Sequence, residues 1–351
     1  ILNIKYSWII IMALGPCLLY LLSVLSFNEF YARKAKLPPV GADESLGRNY
    51  ALRYSTIFIP ILTIIVMLYL GFQVATAVCI AVLAFILVAY LDPTLRPKGV
   101  RPILDGLAEG FRQLIPIGTA IVAANLVFAM MVITGLPSKF SIFLGQVSGE
   151  SLLLATLVTA IFSLILGMGV PPTATYVLTS SLTAPAIIAL AKSNFLTYGL
   201  TPEQATLAAT LATHMFLFYY AVLADVTPPV ALSAYASASV FKTDPINTGV
   251  YAARVALSKY IIGFFFLLSF TGTGLLILPV LQNVGGLEGW LIILERFFFT
   301  AAAIIFMSAA TVGYTRRRLA RWESWIMGIL AVTLFFPYPN LWMGFVPLAL
   351  C

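Results

Sequence analysis

The chain has 351 residues, 61% of them hydrophobic and only 9% charged, with a formal net charge of +7. Soluble domains run at roughly 45–50% apolar and about 25% charged, so these proportions exclude an ordinary soluble domain and predict an all-α polytopic membrane protein. A nucleic-acid partner is excluded too, because the basic residues lie in short loops between apolar runs and form no basic face.

In chain order, the first predicted span covers residues 6–27. No secretory signal is expected there: the run is too long and too uniformly apolar, and it lacks a small-residue cleavage site. Because the first residue is Ile1, the sequence is expected to be a portion of a longer protein. A polar loop follows at 28–53. Spans two and three, 55–70 and 74–91, are joined by a tight turn at Gly71, Phe72 and Gln73, and Asp92-Pro93 ends the third. Residues 97–113 place Ile103, Leu104, Leu107 and Phe111 at helical spacing with Arg101, Asp105, Glu109 and Arg112 between them, which predicts an interfacial helix. Span four covers 115–133 and closes at 134–137. Cys17, Cys79 and Cys351 have no metal spacing and are expected to be small buried hydrophobes.

Two interrupted apolar segments come next. The first carries Gly167, Gly169 and Pro171-Pro172, flanked by arms at 151–166 and 173–191. An arm of about 16 residues reaches only ~24 Å, so a re-entrant hairpin fits as well as two full spans. The second, 205–241, carries Pro228-Pro229 and reads as one broken span. An interfacial helix before 260 is expected to lead to spans at 260–281, 291–312 and 325–350. The predicted organisation is scaffold helices over 1–150, a transport-site module over 151–259, and C-terminal helices over 260–351. The hairpin (151–191) and the broken helix (205–241) lie in the middle module.

Loop charge tests this map. With 28–53 in the cytoplasm, the loops 92–114, 242–259 and 314–323 share that side and together hold 16 of the 20 Lys and Arg residues. Lys5, Lys139, Lys192 and Arg296 remain for the other side. The bias follows the positive-inside rule.

Backbone groups freed by Gly and Pro cannot face lipid, and survive only inside protein or around a polar cavity. A pair of such breaks points to the binding site of a secondary transporter. Oxygen ligands of this kind suit a hard cation such as Na⁺, and the candidates are Gly167, Gly169, Thr173, Asp225, Val226 and Thr227. Helix N-termini near Thr173 and Val230 favour an anion instead. The candidates for the substrate are Thr173, Thr175, Tyr176, Pro228 and Pro229. Asp225 reads as the one acid inside the apolar core, marking an ion path or capping backbone at the break. His214 lies eleven residues earlier, ~16 Å along a regular helix, and reads as a structural histidine with a proton relay as the alternative. Phe216, Phe218, Tyr219 and Tyr220 read as packing.

The run from Gly167 to Tyr176, the run from His214 to Leu232, and the Ala234–Ala238 and Lys242–Gly249 stretches resemble the large membrane subunit of TRAP transporters, the tripartite ATP-independent periplasmic transporters. The TAXI subtype, with its often fused small and large subunits, is the most similar. The resemblance implies the second half of an inverted-repeat fold, with a re-entrant hairpin tip at 167–173 and a broken transmembrane helix at 225–229. It implies Na⁺-coupled import of a small organic anion by alternating access. The implied partners are a periplasmic substrate-binding protein and a small permease subunit, fused or separate. The implied location is multi-pass in a bacterial or archaeal cytoplasmic (inner) membrane. The first repeat's hairpin and break are expected to be missing, so this portion alone is not expected to transport. Pro172 departs from the family's usual Pro-Thr tip, and Thr173 is expected to substitute. The rival readings are a membrane-embedded hydrolase using His214 and Asp225, and a non-transporting assembly subunit. No catalytic motif is visible, and an enzyme is not expected.

Overall fold

We describe the protein from a computed structural model, which covers residues 6–37, 58–91, 97, 99–229, 231–268 and 270–335. Among these residues the chain is nearly all helix, and no strand is present. Helices α1 (Tyr6–Ala35), α2 (Phe58–Tyr69), α3 (Val74–Leu91), α4 (Arg101–Ile133) and α5 (Leu136–Ser148) precede the interrupted segments. Helices α6 (Leu152–Leu166), α7 (Pro172–Leu196), α8 (Pro202–Ala224), α9 (Leu232–Phe241) and α10 (Pro245–Val255) contain them. Helix α11 (Leu257–Leu268), a 3-10 turn (Thr271–Leu276), α12 (Leu278–Asn283), α13 (Gly286–Val312) and α14 (Arg321–Phe335) complete the described chain. Trp8–Ala35, Pro172–Leu196, Pro202–Ala224 and Gly286–Val312 are long and apolar enough to cross a bilayer. The protein is therefore a multi-pass helical membrane protein.

The chain divides into two compact units. The first comprises Ile1–Ile10 and Leu37–Gly118, and the second Ile11–Lys36 and Thr119–Cys351. In the first, α2 and α3 pack as a hairpin through Gly71, whose φ of 88° only glycine adopts readily. In the second, α8 is the central element. Its buried face is rich in alanine (Ala205, Ala208, Ala209, Ala212), which lets α7, α6 and α11 approach closely.

Several boundaries differ from those predicted. Helix α1 runs on to Ala35, so the start of the expected 28–53 loop is helical, with Arg33 paired to Glu29 one turn back at 2.5 Å. Residues 38–57, the Asp92-Pro93 stop and 336–351 with Cys351 lie outside the described residues. The expected interfacial helix and span four form one helix, Arg101–Ile133, which continues through Pro116 although its missing N–H leaves one gap in the hydrogen-bond ladder. Helix α5 has no counterpart in the sequence reading, although left-handed Gly135 and Gly149 bracket it and Pro137 opens it. The expected span 260–281 is not continuous. It breaks after Leu268 into the 3-10 turn, where Gly272 and Gly274 weaken the helix and Pro279 opens a new one. Cys17 and Cys79 are exposed rather than buried: on a lipid-facing surface a small apolar side chain needs no protein cover.

Candidate functional site

The first interrupted segment is built by its caps. The Ser151 hydroxyl accepts from Leu154 N–H to start α6. Gly167 ends the helix, its N–H donating to Ser163 O at 2.9 Å. The chain turns through Gly169 at φ 75°, and Pro172 begins α7 in the first-turn position where a missing N–H costs nothing. The two arms are unequal. Helix α6 has 15 residues, ~22 Å, whereas α7 has 25 residues, ~38 Å, and continues through Pro185 to Leu196. The second arm is thus longer than the predicted 173–191 and long enough to cross a bilayer.

Helix α8 starts with a capping box between Thr201 and Gln204 and runs unbroken to Ala224. The chain then leaves the helix, with Pro228 and Pro229 joined by a cis peptide, and resumes as α9 at Leu232. Side chains on both sides clamp this break. The Asp225 carboxylate accepts from the Ser233 hydroxyl, and Asp225 O accepts from Ser233 N–H at 3.2 Å. A carboxylate is unfavourable at the C-terminus of α8, but the N-terminus of α9 beside it offsets this. The Tyr235 hydroxyl donates to Pro229 O. The Thr227 hydroxyl donates to Leu223 O at 2.6 Å and pairs with the Tyr260 hydroxyl of α11. Tyr260 O in turn accepts from the Tyr220 hydroxyl at 2.6 Å. Thr227 therefore keeps one free lone pair.

The tip and the break meet at Gly167. A Cβ built there would lie 2.3 Å from Ala224 Cβ, 3.0 Å from Thr175 Cγ2 and 3.1 Å from Ser163 O. Only glycine allows α6 and α8 to close at this point. Thr159 and Ser163 lie on the same face of α6 as Gly167, eight and four residues back. Their hydroxyls, and that of Thr213 on α8, are buried with no partner among the described residues. On α7, by contrast, Thr175, Thr179 and Thr183 each satisfy their hydroxyl on backbone carbonyls one turn back.

Of the predicted ion candidates, Gly167, Asp225, Val226 and Thr227 thus gather where α6 meets the end of α8. Gly169 and Thr173 are exposed at the tip. Of the substrate candidates, Thr175 packs against Gly167, Pro228 packs against Gly249 of α10, and Pro229 is exposed. The Tyr176 hydroxyl pairs with His214 Nδ1 at 2.8 Å, its ring edge-on to Phe218. The only described partners of His214 and Asp225 are thus Tyr176 and Ser233, not each other. No group of three or more His, Cys, Asp or Glu side chains among the described residues could hold a metal.

Two Gly/Pro interruptions meeting inside a bundle of apolar helices are the architecture of a membrane transporter. The chain matches the family model of the tripartite ATP-independent periplasmic transporter, DctM component, over residues 1–281. It belongs to that family. No curated protein and no solved structure gives a match. The protein is accordingly a large membrane permease of the TRAP type, and its family is one of transporter components.

This permease also buries charges that the sequence reading missed. Asp225 is not the one acid among the apolar spans, because Glu295 lies within α13, paired to the neighbouring Arg296 at 3.4 Å. Arg296, counted with the residues of the other side, is buried within the bundle against Gly274 of the 3-10 turn. Lys259 is buried between the rings of Tyr20 and Tyr219, 4.6 and 5.0 Å from their centres. An arginine inside the apolar run 291–312 was the available signal for Arg296. Lys259, at a predicted span end, carried none.

Proposed function

We propose that this permease imports a small organic anion in symport with Na⁺, by alternating access, from a periplasmic substrate-binding protein and alongside a small permease subunit. The observation that carries the reading is the contact of Gly167 with Ala224, which sets two non-helical loops side by side among apolar helices. In that setting carbonyl and hydroxyl oxygens need a partner that lipid cannot supply, and a monovalent hard cation is one. The unpartnered hydroxyls of Thr159 and Ser163 on the same α6 face add oxygens below the contact. The Asp225 carboxylate adds negative charge at the edge. Residues 151–191 act as a re-entrant hairpin facing the broken helix, as the second half of an inverted repeat and in the manner of the TAXI subtype. The N-terminal ends of α7 and α9, with Thr173, Thr175, Tyr176, Pro228 and Pro229 nearby, receive the anion.

Na⁺ activation of uptake by the complete transporter tests this. Thr227→Ala removes the oxygen with a free lone pair and is expected to weaken Na⁺ affinity about ten- to a hundredfold, from a loss of about 1–3 kcal/mol. Tyr260→Phe keeps that oxygen and is expected to leave Na⁺ affinity within about threefold. Equal, unchanged Na⁺ dependence in both variants at normal expression would remove the ion from this site.

A further inference from the structure

A cavity lies in the larger unit, where the C-terminal ends of α1 and α13 meet the start of α14. It measures about 480 Å³, and its lining includes Lys34, Gly313, Arg318, Arg321, Ser324 and Trp325. Three cations therefore face one space, and no acid is among the lining residues. The carboxylates nearby are engaged elsewhere. Glu323 accepts from both Nη atoms of Arg317, at 3.1 and 2.5 Å, and from Ala320 N–H at 2.7 Å, and Glu29 pairs with Arg33. None of the ion pairs among the described residues reaches Lys34, Arg318 or Arg321.

Gly313 turns the chain at φ 70°, and a Cβ there would sit 3.7 Å from Lys34 Nζ and 3.8 Å from Ser324 Oγ. The Lys34 amine is anchored on Val312 O, the last carbonyl of α13, which fixes the charge and leaves two of its donors for a ligand. Trp322 and Trp325 are 64% and 75% exposed on the first turns of α14, at the point where the apolar part of the helix begins. Indole rings in that position mark the headgroup level of a membrane.

We propose that this cavity binds the phosphate of an anionic phospholipid. Arg318 and Arg321 take the phosphate oxygens through their guanidinium forks, Lys34 and Ser324 close the other side, and the acyl chains lie along α14 past Trp325. Arginine matches phosphate geometry in two hydrogen bonds at once, and basic pockets between membrane helices are suited to lipid headgroups. The 314–323 loop is one of the four basic loops, so the lipid belongs to the leaflet those loops face.

The complete transporter is reconstituted into phosphatidylcholine nanodiscs with and without phosphatidylglycerol, and bound phosphatidylglycerol is titrated by native mass spectrometry. Arg318→Gln with Arg321→Gln is expected to weaken retention about fivefold for each cation removed. Both arginines are exposed and outside the described ion pairs, so melting temperature is expected to hold. Lysine at both positions keeps the charge but not the fork and is expected to restore the binding only in part. Arg101→Gln with Arg112→Gln on α4, an equal loss of charge, is expected to change nothing. Equal retention in the Arg318/Arg321 variant, equal loss in the Arg101/Arg112 variant, or displacement of the lipid by inorganic phosphate would each overturn the proposal.

Discussion

Gly167 is the residue on which the proposed site closes, and its role is steric. Alanine would place a methyl 2.3 Å from Ala224, so Gly167→Ala is expected to push α6 away from α8 at a cost of about 1–3 kcal/mol. A lowered melting temperature with a matching loss of Na⁺ affinity is the expected result. Loss of stability alone would confine the residue to packing. Outside the membrane, the Arg317 side-chain hydrogen bonds, and next the Ala320 N–H, hold the Glu323 carboxyl below the usual carboxylate range. A carboxyl depressed on folding contributes order above its unfolded pKa and loses it as pH falls through the folded value. Amide exchange at Ala320, relative to its intrinsic rate, is therefore expected to stay slow at neutral pH and to quicken in acid as Glu323 protonates. In Glu323→Gln that acid-induced quickening is expected to vanish.

At the scale of elements, the two arms around the tip make different demands. Helix α6, at ~22 Å, cannot cross a hydrocarbon core of ~30 Å, whereas α7 can. If 151–191 is a re-entrant hairpin, α7 tilts or extends beyond the membrane, and the tip stays within it. A spin label at Met168 in a cysteine-free background is expected to report a depth inside the bilayer. A label in aqueous phase on the side opposite Ser151 would instead mean two full crossings. Helix α11 steadies the break from the other side. Gly263 lets it lie against Tyr220, where a Cβ would fall 2.9 Å from the ring. Gly263→Ala is expected to push α11 away from Tyr220, lowering thermal stability by about 1 kcal/mol while leaving Na⁺ activation within about threefold, both measurable in the same preparation.

For the whole molecule, the oxygens at the tip and break bear on what drives transport. Carbonyl and hydroxyl oxygens make up most of the tip and break and can coordinate Na⁺, while the Asp225 carboxylate is held by Ser233 and His214 by Tyr176. Uptake by the complete transporter in proteoliposomes is therefore expected to follow an imposed Na⁺ gradient in the presence of the binding protein. A proton gradient alone, with Na⁺ absent, is expected to leave the vesicles empty. Uptake under the proton gradient would move the coupling to His214 and its neighbours.

Composition determined that this chain lives in a membrane, because 61% apolar residues leave no other solvent for it. The positions of the interruptions at 167–171 and 225–231 were equally legible, because Gly and Pro act on the backbone where they stand. Local chemistry has limits even there. The break in 260–281 was carried by Gly272, Gly274 and Pro279, yet a hydrophobicity window passes over them. What only the tertiary structure decided are contacts between residues far apart in sequence: Gly167 on Ala224, Tyr260 on Thr227, Lys259 between Tyr20 and Tyr219, and Lys34 on Val312. Hydropathy tells each helix that it must be covered, by protein or by lipid, and is silent on which neighbour covers it. The neighbour is chosen by close packing of small residues and by hydrogen bonds between helices, which exist only once the bundle has formed.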